Sequence, residues 1–359
     1  MPRRLIALLV LAAACTTPVA SSRPARTSTP SPAASTSAPA PSPTLTPTVT
    51  PSPTPSYRPT ITIALTGDVH AVEHLGRAID AGADPLAAIA PVLSTADLTI
   101  VNLETAVGVR GRPAPKEYTF QSPTSLWGVL TRAGVDVVSL ANNHSLDFGV
   151  GALRETWHGA RTAGLTTVGG GVDATEAYAP ALFELQGQRV AVVGLTRVIP
   201  VPEWAAGDDH VGLASAYDVD AAVAAVQAAA AVAQHVIVTI HWGAEHTDCQ
   251  VEHQLDLASR LRAAGADVIA GHHPHVLQST GEIDGSVVAY SLGNFLWYSA
   301  GATSRLSGVL TVTLDAHGVV AWEVVPVVVD PSDGPQPATG ADAEAVASRL
   351  RRVERTCAA

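Results

Sequence analysis

From residue 60 to about 330, short β-rich apolar runs alternate with Ala-rich stretches of helical character. Runs of this kind bounded by turn residues read as buried strands, here at 61–66, 98–101, 135–140, 236–240 and 268–270. Helices are predicted over 72–81, 85–94, 123–133, 151–163, 217–233 and 252–264. Strand and helix in alternation indicate a layered α/β domain. Segments 182–195 and 310–329 read differently, as β-hairpins turning at Gln186-Gly187-Gln188 and Asp315-Ala316-His317-Gly318, which makes the sheet mixed. Residues 331–359 read as a Pro/Gly linker and a short amphipathic helix carrying Arg349, Arg351, Arg352 and Arg355, an appendage on the surface of a 59–330 domain.

The first 58 residues break the pattern, having no Asp, Glu or Lys. Met1 to Arg4 form a basic head, ten apolar residues follow, and Cys15 comes after three alanines. Ten apolar residues are too few for a permanent span, which needs about 20, so residues 1–15 read as a signal peptide. A cysteine after small residues resembles the site where bacterial lipoproteins are cleaved and acylated, with Leu11 one place upstream of the usual pattern. Simple secretion and an uncleaved anchor are the other readings, and all three place the body outside the cytoplasm. Residues 16–58 are dominated by Pro, Ser, Thr and Ala, a composition that cannot bury enough apolar surface to fold. As an extended linker they reach on the order of 100 Å, enough to hold a domain within a cell wall.

Charge changes the picture only by exclusion. Residues 1–58 carry five Arg and no acid, leaving 16 basic against 32 acidic residues and a net of −16 beyond them. Such a body is a poor partner for nucleic acid, which rewards basic patches. With Cys15 lipidated, Cys249 and Cys357 remain, either paired in an oxidising compartment or as two free thiols.

Seven residues of metal-ligand type fall just after predicted strands: Asp68, His70, Glu104, Asn143, His241, His273 and His275. Imidazole together with carboxylate suits zinc, manganese and iron, and a shared carboxylate lets two cations sit roughly 3.5–4 Å apart. Singly, each has a plainer reading: His241 as a hydrogen-bonded histidine, Asn143 as a turn residue, Asp68 as a helix N-cap. Their common placement beyond strand ends, where α/β sheets collect ligands, points to two divalent ions and hydrolysis of a charged ester. His273 and His275 flank Pro274, and His272 is expected to point away. Glu245 and His246 stand near His241 as partners that fix a ligand's tautomer. Lys116, the single lysine, is a contact for an anionic substrate or a surface ion pair, and Asn294 is a loop residue rather than a ligand.

The ordered motifs GDVH at 67, NLETAV at 102, KEYTF at 116, SLANNHSLDFG at 139, HWGAEH at 241, AGADVIAGHHPHVLQ at 264 and YSLGNFLW at 290 resemble the CapA family of poly-γ-glutamate capsule synthesis (PGA-cap). Its domain is a variant of the calcineurin-like metallophosphoesterase fold, so the resemblance implies a sandwich of mixed β-sheets flanked by helices. It also implies that Asp68, His70 and His275 hold one metal and Asn143, His241 and His273 the other, with Glu104 as bridge. His144 then stands by the leaving group as general acid. Two departures accompany the match: Asn102-Leu103-Glu104 replaces the superfamily's G-D-x-x-D, and Ser145 follows His144 where an acid is usual, leaving Asp147 to orient the imidazole.

Nothing resembles a P-loop, so ATP-driven ligation by this chain is not expected. Two functions follow from the resemblance. One is a wall-associated metallohydrolase acting on phosphate esters or an envelope polyanion. The other is a non-catalytic surface component that handles a capsule polymer alongside membrane proteins.

Overall fold

The computed structural model describes residues 59–357; the basic head, Cys15 and the proline-rich segment lie outside the described residues. In chain order the principal strands are β1 (Ile61–Val69), β2 (Leu98–Leu103), β3 (Val137–Ser139), β4 (Thr166–Val168), β5 (Ala181–Leu185), β6 (Gln188–Thr196) and β7 (His235–His241). They continue with β8 (Val268–His272), β9 (Thr280–Ile283), β10 (Ser286–Ala289), β11 (Asn294–Leu296), β12 (Leu306–Asp315), β13 (Gly318–Asp330) and β14 (Gly334–Pro337). An eight-stranded sheet runs β14-β13-β12-β1-β2-β3-β4, with β11 also paired to β1; a six-stranded sheet runs β9-β10-β8-β7-β6-β5. Both are mixed. β1, β2, β3 and β4 are parallel, as are β6, β7, β8 and β10, while the hairpin partners run antiparallel.

Alternation along the strands builds three apolar layers, because successive side chains face opposite sides. Ile61, Ile63 and Leu65 of β1 meet Val190, Val192, Ile237 and Val268 of the other sheet in a core between the two sheets. On the outer face of the first sheet, Ala64 and Val101 pack against α1 (Glu73–Asp80), α2 (Ala90–Leu93), α3 (Leu126–Arg132) and α4 (Gly149–Thr162). On the outer face of the second, Val236, Val238 and Ile240 pack against α5 (Val219–Ala230) and α6 (Glu252–Ala263). α5 shows why the sequence chooses a helix there. Asp218 caps it by accepting from Ala221 N at 2.9 Å, and Ala222, Ala225, Val226 and Ala229 form its buried stripe. The result is the expected α/β sandwich of mixed sheets flanked by helices.

Two expectations change. The helix predicted over 85–94 is only Ala90–Leu93, because Pro91 has no N–H to bond back to Ala87 and is tolerated only in a first turn. Residues 331–357 are not an appendage. Pro335 and Pro337 sit in β14, an edge strand where a missing N–H is harmless, and α7 (Gly340–Cys357) buries Val346 beside Leu277, Leu306 and Val328. Cys357 forms a disulfide with Cys249, which decides between the two readings of those thiols.

Candidate metal centre

β1, β2 and β3 of one sheet and β7 and β8 of the other deliver their carboxyl ends to one cleft. Asp68 sits at a bulge, where β1 advances three residues (Leu65 to Asp68) against two on β2 (Ile100 to Asn102). Such an irregularity re-aims a side chain. A Cβ on Gly67 would lie 2.0 Å from Gly293 O, so glycine is what allows Asp68 N to donate to that carbonyl at 2.9 Å. Asn102 Nδ2 donates to Asp68 Oδ1 at 2.8 Å and lies 3.2 Å from His241 Nδ1. Asn142 Nδ2 in turn donates to Leu103 O at 2.9 Å and Asn102 Oδ1 at 3.2 Å, while its Oδ1 accepts from His144 N at 3.0 Å. These two asparagines tie the strand ends together and aim the residues beside them.

The central carboxylate is Glu104. It is fully buried, 3.6 Å from His241 Nε2 and 3.8 Å from both His275 Nε2 and His144 Nε2. Around it eight buried side-chain atoms have no hydrogen-bond partner: both ring nitrogens of His70, both carboxylate oxygens of Glu104, Asn143 Oδ1, His241 Nε2, His272 Nδ1 and His273 Nδ1. An unsatisfied buried polar group costs about 1–3 kcal/mol, and a folded chain does not sustain so many in one cleft without a ligand for them. Imidazole, carboxylate and amide oxygen are the donor set of a first-row divalent cation, so the residues fit the implied metals. Glu104, His273 and His275 bring ligand atoms within 4.8 Å of one another, as do Asp68, Glu104 and His241. Glu104 common to both sets fits a bridge. The expected neighbours are close as well: His275 Nδ1 lies 3.1 Å from Asp68 Oδ2, and the His241 and His273 ring centroids are 4.8 Å apart.

Electrostatics prepares the donors. Burial, then the charge of Asp68, pushes Glu104 well above the usual carboxylate range. Burial works the same way on Asp68, but the His272 and His275 rings beside it outweigh burial and hold Asp68 well below that range. Burial depresses His70 and His241 strongly and pushes His273 down to about 3. Neutral imidazoles are the form that ligates a cation.

His144 is held differently. Its Nδ1 lies 2.6 Å from Asp147 Oδ2, Asp147 also accepts from Phe120 N at 2.7 Å, and Phe120 stacks on the imidazole at 4.1 Å. Lys116 Nζ pairs with Asp147 Oδ1 at 2.7 Å and donates to Asn143 O at 2.6 Å. The lysine is thus a largely buried counter-charge inside the site, not a surface ion pair. Glu245 and His246 line a mouth of about 230 Å³ with Tyr118, Trp297 and Tyr298. His70 packs among Phe120, Trp297 and Tyr298, with ring centroids 4.0–5.0 Å apart.

His272 does not point away as expected. It is buried, with Nε2 3.0 Å from Thr239 Oγ1 and Nδ1 3.4 Å from Asp68 Oδ1, because β8 pairs in parallel with β7 and turns this residue toward Asp68. Asn294 is likewise part of the site, with Oδ1 2.9 Å from His275 Nδ1. Asn102, Asn142 and Phe120 carry no role in the sequence reading, although each lies within a quoted motif.

A family profile described as "Bacterial capsule synthesis protein PGA_cap" matches residues 62–299. The chain is 30% identical over 242 residues to "PGA biosynthesis protein CapA" of Bacillus subtilis strain 168, covering 67% of this chain and 63% of that protein. It is 28% identical over 289 residues to "Capsule biosynthesis protein CapA" of Bacillus anthracis, covering 78% and 70%. The match thus spans about two thirds of those relatives' own length. Among solved structures, a phosphatase from Mycoplasma pneumoniae superposes at TM-score 0.49 and 15% identity, over 78% of this chain and 96% of that one.

Proposed function

We propose that this chain, which belongs to the bacterial capsule synthesis family PGA_cap, is a metal-dependent hydrolase of phosphate esters or of an anionic envelope polymer. The observation that carries the reading is the set of unpartnered buried donors gathered around Glu104. Two divalent ions (manganese, iron or zinc), held by Asp68, His70, Glu104, Asn143, His241, His273 and His275, would polarise an ester oxygen and acidify a water. The chain's own residues supply the proton work. Asp147 accepts from Nδ1–H of His144 and fixes the tautomer, and Lys116 balances the Asp147 charge. Burial lowers the His144 pKa against the opposing pull of Asp147, so at neutral pH the ring carries a lone pair at Nε2. It takes up a proton there from solvent water before giving it to the leaving oxygen.

The relatives' names tie them to capsule and poly-γ-glutamate synthesis, which supports a polyanionic substrate and capsule-assembly membrane proteins as partners. Extracytoplasmic location, with a lipid on Cys15 holding the chain to the membrane, completes the proposal; the Cys249–Cys357 disulfide agrees with an oxidising compartment. Mature protein that begins elsewhere than Cys15 would overturn the anchor. A second reading, a polymer-handling component without catalysis, draws on the relatives' names, which speak of biosynthesis and not hydrolysis.

Turnover of bis-p-nitrophenyl phosphate by metal-loaded protein separates the two. His144→Ala should retain the metals yet slow turnover about 100-fold, the scale of a positioned general acid. In the wild type kcat/KM should fall as pH rises through a value below 6.5, and His144→Ala should lack that limb. Metal-loaded protein with no metal-dependent hydrolysis of phosphomonoesters, diesters or γ-glutamyl polymers would favour the second reading.

A further inference from the structure

The loop that follows β8 is held in a backbone shape its residues resist. His273 and His275 have φ of +96° and +55°, and His246, whose N–H donates to Pro274 O at 2.9 Å, has φ of +56°. Left-handed backbone at residues with a Cβ costs on the order of 1–3 kcal/mol each and persists only where surroundings over-determine it. Three such residues in two touching loops need an external hold.

We infer that α7 is that hold and that Arg349 is a positioning residue for the metal-binding loop, an inference that rests on the metal-site reading above. Arg349 is only 4% exposed. Its Nε and Nη2 both donate to Leu277 O, at 3.0 and 2.8 Å, two residues beyond His275. Its Nη1 donates to Asp248 Oδ1 at 2.6 Å, two residues beyond His246. One planar guanidinium therefore grips both loops, a geometry that a lysine ammonium cannot reproduce. Gln278 fastens the same two loops, its Nε2 donating to Thr247 O at 3.1 Å and Cys249 O at 3.2 Å. Val346 packs the helix onto Leu277, and the Cys249–Cys357 disulfide pins its end to the second loop. All of α7 lies beyond residue 299, where the family match ends.

The test compares Arg349→Met with Val353→Ala, a truncation at a residue 1% exposed on the same helix, in the full chain. Manganese and zinc affinity are read by equilibrium dialysis at a temperature where circular dichroism shows each protein folded. Arg349→Met should bind at least tenfold more weakly than wild type and Val353→Ala within threefold. In metal-free protein, hydrogen exchange at the His246 amide should speed up at least tenfold in Arg349→Met alone. Should Arg349→Met not fold, Arg349→Lys is read by the same thresholds. Equal losses in both variants, or an Arg349 variant with wild-type affinity and exchange, would reduce the helix to a cover and overturn the brace. Wild-type protein that binds neither metal defeats the site reading and the brace with it, which sets that failure apart from a wild type that binds and a variant that binds as well.

Discussion

The Glu104 cleft and the Arg349 clamp both bury charge, yet they treat it in opposite ways. At the clamp, the guanidinium meets a carboxylate and a carbonyl. In the cleft, Glu104 keeps two unpartnered oxygens amid unpartnered ring nitrogens. Burial alone therefore says little about role. A satisfied buried charge is compatible with fold maintenance, whereas a concentration of unsatisfied donors is tolerable only as half of a binding reaction.

The largest expected effect reverses sign between the two regions. Glu104→Gln should remove at least one of about two bound ions per chain by elemental analysis and take metal-dependent hydrolysis to background. The metal-free variant should nevertheless be as stable as metal-free wild type, or more so by up to about 2 kcal/mol, since it removes a buried carboxyl beside Asp68. Arg349→Met, which strands Leu277 O, should instead destabilise metal-free protein by about 2–4 kcal/mol. Urea denaturation in chelator reads both. A Glu104→Gln protein destabilised as much as Arg349→Met would make the cleft structural and dissolve the contrast.

The second effect concerns the satisfied region alone. Replacing Cys249 and Cys357 by serine opens a link across 108 residues, and closing a loop of that size is worth about 3–5 kcal/mol, in large part through the unfolded chain. The loss should appear in urea midpoints of metal-free protein, while turnover per bound metal at saturating metal stays near wild type. A proportionate loss of turnover would show that the disulfide reaches the chemistry directly.

The cleft was more legible in the sequence than the clamp, for physical reasons. Ligands at strand ends are announced by apolar runs stopping at a polar residue, as at Ile61–Val69 and His235–His241. Asn102 and Asn142 carry no such mark, because asparagine near a strand end also serves turns. That His272 faces Asp68 could not be read either, since it depends on β8 lying parallel beside β7. The clamp was misread outright. Prolines suggested a linker, and an arginine-bearing helix suggested a surface, whereas Arg349 is buried and only Val346, Val353 and Cys357 mark the inner face with it.

The smallest effect is a slope, and its sign follows from the buried rings. An unfolded histidine titrates near 6.5, while folding pushes His273 down to about 3. Between those values the unfolded chain binds the extra proton, so metal-free protein should lose stability as pH falls below 6.5, each such ring contributing up to about 1.4 kcal/mol per pH unit. Glu104, raised by burial, acts in the opposite direction and shallows the total without touching the share of His273. His273→Leu should therefore flatten the dependence of urea-unfolding free energy between pH 6.5 and 5 by about 1 kcal/mol per pH unit. At the clamp, burial would raise Asp248, but the hydrogen bonds and charges of Arg349 and Arg352 hold it below its ordinary 3.8. Its contribution is thus lost only below that value, and Arg349→Met should lower the whole curve without changing its slope in this window. Equal flattening by both variants would mean that the two regions titrate as one.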